Sequence, residues 1–479
     1  MQNSKSSFNC LLIHTPNLSQ NSDGTLFSEV NFCAMGLFSL AGEIKKEGFN
    51  VEIIHLGIEK YLDKNFSLAS YVKENNIKFI AFSLHWHPQS FDVIESAKIL
   101  KEQNPNVFIA LGGFTASYFK NEIMENFPFV DAVMKGEGEK TIRKLTKRLY
   151  ETMPFVPLDS GVEMNLSDIE NLVWRKGLKN SKAKIIENNE VFIAKNEDLD
   201  EFDYFNPSLM RHYGEYSKVS FELQYSKAKQ LNNPKTAHGV SLGRGCLGNC
   251  TWCGGGYNAM KMVTGRDFIS YRGAKSVIDE VKKLQKNEGI EFFCFCFDPN
   301  PKDRTYLIGL MKELKNEFNG KLNAFFTLYG LPDKEFLNTF KSTFSKESVI
   351  SLSPEFFDES LRKFHKSFFF SNKELEEILE YMEELEILSD IYFSIIPAVN
   401  EFHNEESRRY GKFLKEKYSF VKDYYIIPII QEPASPWTIT PEEYGLPPSK
   451  KNFINYYNDT NCIKKSFENS EFFTTKPLK

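Results

Sequence analysis

Three cysteines at positions 246, 250 and 253 sit in the run Ser241–Gly256, SLGRGCLGNCTWCGGG, and three consecutive glycines follow them. The C-x3-C-x2-C spacing gathers three soft thiolates on one short loop, whereas a closed structural zinc or iron–sulfur site takes four ligands. Three ligands leave one metal position open, which is what a site needs if a substrate or co-substrate is to bind the metal. Two plainer readings compete with this one. A zinc knuckle could borrow a distant ligand, but a second Cys or His pair at zinc spacing would then be expected. The thiols could also be simple packing residues. Eight cysteines, three of them clustered, argue for metal binding in a reducing compartment over a disulfide framework.

The elements that must position this loop come in two strand–helix series. In residues 1–150, the apolar runs Cys10–His14, Val51–Leu56, Lys78–Leu84, Val107–Leu111 and Ala132–Met134 read as strands separated by helical periodicity. Such alternation predicts a doubly wound, Rossmann-like α/β domain that binds its ligand just past the strand ends. The candidate ligand-facing residues there are Thr15, Pro16 and Asn17, then Ser83 and His85, then Gly112, Gly113 and Phe114, and finally Gly136 and Glu137. Each glycine taken alone could equally be a turn. Residues 151–234 lose periodicity and read as a connector, with a β-ribbon expected from Leu172–Trp174 and Val191–Ile193.

A second series fills residues 235–437, with strands expected at Val240–Gly243, Glu291–Phe297, Asn323–Tyr329, Val349–Ser353, Ile391–Ile396 and Tyr424–Ile427. The cysteine loop follows the first of them, at the C-terminal end of a strand, where barrel folds carry their chemistry. Period-two alternation puts Phe293, Phe295 and Phe297 under the helices, with Cys294, Cys296 and Asp298 facing inward. In the fourth strand Ser351, Ser353 and Glu355 share a face, and a buried polar row of this kind implies a polar ligand or ordered water in the lumen. Gln431–Trp437 follows the sixth strand and is expected to face substrate over the mouth. The remaining stretch, 438–479, carries Tyr444, Phe453, Tyr456, Tyr457 and Phe467 and is expected to cap the barrel.

With Arg244-Gly245-Cys246 at its start and Trp252 before the third cysteine, the loop resembles that of the radical SAM enzymes. The stretches MGLFSLAGEIKKEGFNVEII, ALGGFTAS and VDAVMKGEGEKTI resemble the cobalamin-binding domain that precedes many of them, over about the first 150 residues. The stretch LSPEFFDESLRKFHKSFFFSNKELEEILEYMEEL resembles the barrel of the same cobalamin-associated group. The resemblance implies a partial (β/α)6 barrel behind the Rossmann-like domain, with a 4Fe-4S cluster on Cys246, Cys250 and Cys253. It implies S-adenosylmethionine near Trp252, Gly254, Gly255, Ser353, Glu355 and Pro397, although Ile395-Ile396-Pro397 stands where the family usually has Gly-Leu-Pro. It also implies cobalamin over the strand ends of the first domain. The Asp-x-His-x-x-Gly motif that supplies a cobalt ligand elsewhere is missing, since Asp23 is followed by Gly24 and Thr25, so no lower histidine ligand is expected.

By the same resemblance the activity would be methylation of an unactivated carbon of a small-molecule substrate, served by an external electron donor such as a flavodoxin or ferredoxin. A cobalamin-dependent rearrangement, ring contraction or cyclisation is the alternative, and a non-catalytic cobalamin or metal sensor is one of a different class. A net charge of −5 and a pI near 6.0 offer no attraction to nucleic acid or anionic membranes. No apolar run reaches the roughly 18 residues of a membrane span, and MQNSKSSFNC lacks a signal-peptide profile, so a cytoplasmic location is expected.

Overall fold

The structure is a computed structural model of the 479-residue chain, and it describes residues 5, 8–16, 32–153, 164–177, 183–204, 206–224, 235–395, 401–429, 431–446 and 452–458. Strands β1 (Asn9–His14), β2 (Asn50–His55), β3 (Ile77–Ser83), β4 (Phe108–Gly112) and β5 (Ala132–Met134) form a parallel sheet in the order β2-β1-β3-β4-β5. Their near-continuous apolar sequences suit a sheet covered on both faces. The chain then adds β6 (Leu172–Lys176) and β7 (Lys184–Glu187) antiparallel to this sheet, making it seven-stranded. The ribbon therefore exists, but its second arm is β7 and not Val191–Ile193. The amide of Asn171 explains the shift: it bonds the backbone of Glu137 and of Phe192, holding residues 191–193 as a strap.

The second half contains β8 (Ala237–Gly239), the short pair β9 (Gly243–Arg244) and β10 (Ser270–Tyr271), and then β11 (Phe292–Phe295), β12 (Asn323–Leu328), β13 (Val349–Glu355), β14 (Leu388–Ile395) and β15 (Val421–Pro428). Six of these form one parallel sheet in the order β15-β14-β13-β12-β11-β8. This is the incomplete barrel expected from the sequence, with one correction at its start. The first strand is β8, not Val240–Gly243; Val240 ends the pairing by donating to the Cys294 carbonyl, and Gly243–Arg244 turns away to pair with β10.

Alternation along the barrel strands resolves as two faces. Phe293, Phe295, Ala324, Phe326, Ile350, Leu352, Ile391 and Phe393 pack outward into the main apolar core. The inner face opens at its base with a small apolar layer of Ala237, Phe292, Cys294, Phe325 and Val349, plugged by Phe221 from the helix Tyr213–Gln224. Asp298, expected to face inward, is taken up by structural partners. It is fully buried and held by Arg304 at 2.9 and 2.8 Å, while the backbone of Tyr329 and Gly330 donates to it. Its charge therefore pins the turn after β11.

The main core runs through both sheets: Cys10, Leu12, Phe79 and Trp174 belong to the same cluster as Val240, Phe293 and Ile350. The described part of the C-terminal stretch divides between the two halves. Trp437 and Leu446 pack with Phe356 beside the cysteine loop, whereas Phe453 and Tyr456 pack against Phe119 of the first half. Phe467 and the rest of 459–479 lie outside the described residues.

Candidate functional site

The cysteine loop leaves β9 through Gly245, whose φ of +104° and close approach to the Phe268 carbonyl leave no room for a side chain. Cys246, Cys250 and Cys253 are all free and half-buried. Each sulfur accepts one backbone N–H: Cys246 from Gly248 at 3.3 Å, Cys253 from Gly255 at 3.3 Å, and Cys250 from Ser367 at 3.4 Å. Among the described residues, no three His, Cys, Asp or Glu side chains are disposed to chelate a single metal ion. A four-iron cluster spreads its cysteines over different irons, and hydrogen bonds to its sulfurs tune its potential. Three accessible thiols, each with its own backbone donor, fit that group. Burial raises the Cys246 thiol, and burial with the nearby Glu432 charge raises Cys253, so both stay protonated until a metal displaces the protons.

Two elements wedge the loop in place. Trp437, fully buried, donates its backbone N–H to the Thr251 carbonyl at 2.9 Å and packs against Trp252 at 6.1 Å. Glu432 accepts the Gly254 N–H at 2.7 Å. Gln431–Trp437 thus supports the cysteine loop directly, which is a closer role than a cover over the mouth. His365 accepts or donates to the Thr251 hydroxyl at 2.9 Å, and burial lowers its pKa to about 4, so its ring is neutral.

The expected S-adenosylmethionine residues partly converge. Ser353 is half-buried near the top of β13. Glu355 follows a register break, with φ +68°, and accepts the Ser394 hydroxyl. Its carboxylate lies 3.6 Å from the ammonium of Lys366, a side chain that is 2% exposed. Lys366 directly precedes Ser367, whose backbone N–H reaches Cys250. This joins the β13 end to the cysteine loop, a link sequence reading missed because Lys366 looks like one surface lysine among many. Pro397 lies outside the described residues.

In the first half, Thr15 and Pro16 are buried at the end of β1, and Asn17 lies outside the described residues. The Gln89 side chain knits the strand ends together: its carbonyl accepts from the His85 and Trp86 backbones and its amide donates to the Thr15 carbonyl at 2.8 Å. His85 is half-buried, and burial lowers its pKa to about 4. Ser83 is buried, while Gly112 and Phe114 are half-buried. Gly113 has φ +102°, and a Cβ there would stand 2.7 Å from the His85 Cα. A Gly113→Ala variant is therefore expected to lose about 2 kcal/mol or more in urea unfolding.

Glu137 departs from expectation. It is 8% exposed and accepts from Arg266 at 2.7 Å, Arg244 at 2.8 Å and the Ala194 backbone at 2.9 Å. Its neighbour Glu139 binds Arg244 and the Ser39 hydroxyl. Burial opposes ionisation of Glu139, but Arg244 and Ser39 hold its carboxyl below the usual range. The acid expected to face a ligand instead ties the β5 loop to Arg244, two residues before the first cysteine. The Gly136 N–H bonds the Ser117 hydroxyl, and a Cβ at Gly136 would lie 3.6 Å from Thr264. Thr264 ends the helix Tyr257–Thr264, which begins just after the cysteine loop.

Residues 28–146 match the B12-binding domain family. The chain is 23% identical over 295 residues to the anaerobic magnesium-protoporphyrin IX monomethyl ester cyclase of Cereibacter sphaeroides, covering 62% of this chain and 40% of that protein. It is 21% identical over 266 residues to the hopanoid C-3 methylase of Methylococcus capsulatus, covering 54% of this chain and 44% of that protein. The matched region thus spans less than half the length of these curated relatives. In three dimensions the chain is similar to TsrM, a radical S-adenosylmethionine methyltransferase from Kitasatospora setae solved with tryptophan and a SAM analogue. The TM-score is 0.63 at 14% identity, covering 91% of this chain and 76% of that one. The same enzyme with cobalamin and a 4Fe-4S cluster gives 0.62 over 92% and 79%. At this identity the likeness is one of fold, and it extends across both halves of the chain.

Proposed function

We propose that this chain, which belongs with the cobalamin-dependent radical SAM enzymes, methylates an unactivated carbon of a small-molecule substrate. The observation that carries this reading is the contact between the two halves. The helix leading away from the cysteine loop lies against Gly136, and Arg244 at the start of that loop is clamped to Glu137 and Glu139. Two cofactor platforms that share a seam suit a substrate held between them. Bound there, the cluster with S-adenosylmethionine would supply one-electron chemistry, and cobalamin a transferable methyl group.

The chain's own residues do the positioning. Cys246, Cys250 and Cys253 would hold the cluster, three thiolates that leave one metal position free for a co-substrate. Glu355 and the buried Lys366, joined to the cysteine loop through Ser367, would present an acceptor and a cation suited to the hydroxyls and carboxylate of S-adenosylmethionine. Trp252, Phe356 and Trp437 wall one side with apolar surface and exclude water. His85, neutral through burial, with Gly112, Gly113 and Phe114 would offer an uncharged rim for the corrin. An external flavodoxin- or ferredoxin-type donor would supply electrons.

A second reading, ring closure without methyl transfer, is favoured by the relatives named as cyclases. Anaerobic reconstitution separates the readings. With iron, sulfide, cobalamin and reductant, the chain should convert S-adenosylmethionine to 5′-deoxyadenosine, and product should gain the mass of one methylene. Ring closure would give the nucleoside without that gain. No 5′-deoxyadenosine under any condition would discard both.

A further inference from the structure

One row of side chains crosses the inner face of the barrel and has no role in holding either cofactor. The strand register places Thr327 beside Ser351, and Ser351 beside Asp390. Cys296, one residue past the end of β11, extends the row, with its sulfur 3.5 Å from the Thr327 hydroxyl. The alternation that sends Ile391 and Phe393 outward sends Asp390 and Tyr392 inward. Above the row, Tyr392 and Tyr425 stack at 4.7 Å between centroids, and Tyr329 is electrostatically close to Cys296, Cys246 and Cys253. Below it lies the apolar base closed by Phe221. The row is thus a polar ledge between a greasy floor and an aromatic ring, on the side facing the cysteine loop.

Asp390 is what makes the ledge specific. It is 3% exposed, and its Oδ1 has no hydrogen-bond partner among the described residues. Across the ladder the backbone of Asp423 stands opposite it and favours its charged form. A buried carboxylate left with a bare oxygen is costly, and native proteins rarely carry one without a use. By contrast, Cys296 is accessible although it sits inside the barrel, so open space adjoins the ledge. We propose that this ledge is the substrate subsite for a protonated amine, its charge taken by Asp390 and its neighbouring carbons by the faces of Tyr392 and Tyr425. Carboxylate with aromatic faces is the pairing that recognises an organic ammonium. The assignment rests on the radical SAM reading for its place in the reaction, and it specifies the substrate class, a small amine.

The charge environment is consistent with this. Burial raises the Asp390 carboxyl to about 6; Asp423 raises it further, while Lys422 on β15 and Lys415 on the helix Glu401–Lys417 pull it down. The carboxylate form binds the cation, so affinity should strengthen as pH rises through about 6 and be lost below it.

The test uses the full, cluster-loaded chain with benzylamine and its neutral counterpart benzyl alcohol as probes. Calorimetry at pH 8 should show the amine bound at least about tenfold more tightly, with that preference lost in Asp390→Asn. In the wild-type chain, benzylamine and not the alcohol should also slow iodoacetamide alkylation of Cys296, mapped by peptide mass spectrometry. This second readout needs no variant to fold. Equal affinity for the two probes, a preference that survives in Asp390→Asn, or an alkylation rate at Cys296 that benzylamine leaves unchanged would overturn the assignment. None of these measurements depends on turnover, so failure of the radical reading would show separately, as missing 5′-deoxyadenosine.

Discussion

A Cys250→Ala variant is expected to fold, to hold less iron after reconstitution, and to lose S-adenosylmethionine cleavage by at least ~10³-fold. The middle cysteine is half-buried, and its sulfur makes one weak bond, from the Ser367 backbone, so the fold has little to lose. The cluster loses a third of its protein ligands. Iron content, the visible absorbance of the cluster and 5′-deoxyadenosine yield should therefore fall together while the unfolding midpoint stays put. A variant that cleaved S-adenosylmethionine as wild type would mean the three thiols are not the cluster's ligands.

Arg244→Ala should have the opposite profile, a large loss of stability. Arg244 compensates two buried carboxylates, Glu137 and Glu139, and hydrogen-bonds Tyr204 at 3.2 Å. Removing one member of such a cluster leaves buried charge unpaired, which costs about 3–5 kcal/mol. The pH dependence gives the mechanism. The Glu139 carboxyl is depressed in the fold, so its stabilising share is present above the ordinary glutamate range and is lost as pH falls through the folded value. In the variant that share is gone, so the gap between wild type and Arg244→Ala in urea unfolding should be widest near neutral pH and should close in acid. A constant gap would assign the effect to lost packing. Because the clamp joins the two halves, cobalamin retention should fall along with stability.

The cysteine loop was legible because its chemistry lies in spacing, which survives without any knowledge of the fold. Most strands were legible within a residue or two, because buried parallel strands write themselves as apolar runs bounded by turns. The outward Ile350 and Leu352 of β13 followed from period two, as did the outward Phe293 and Phe295 of β11, whereas the register break before Glu355 did not. Three things escaped for a common reason: each depends on a partner far along the chain. Glu137 reads as a strand-end acid until Arg244 and Arg266, more than a hundred residues on, are beside it. Asp298 reads as inward by parity until Arg304 and the β12 turn capture it. Val240–Gly243 has the composition of a strand but loses its pairing partner to β8, which begins three residues earlier. The helix Tyr213–Gln224, which closes the barrel floor, lacks a strong apolar stripe and carried no signal in the sequence.

The shared core also governs how a small molecule could reach the site. A hinge that parted the two halves to admit substrate would have to uncover Phe38, whose ring packs on Tyr216 and on His238 of β8, and a large apolar side chain costs about 1.5–3 kcal/mol to expose. The chain is built to stay shut along that seam. The barrel, however, has two strand edges, β8 and β15, that pair with no other strand across the gap among the described residues. Entry and exit are therefore expected through that side slot, past Tyr425 and the exposed Ile427 of β15, with the cofactor platforms stationary while the small molecule moves.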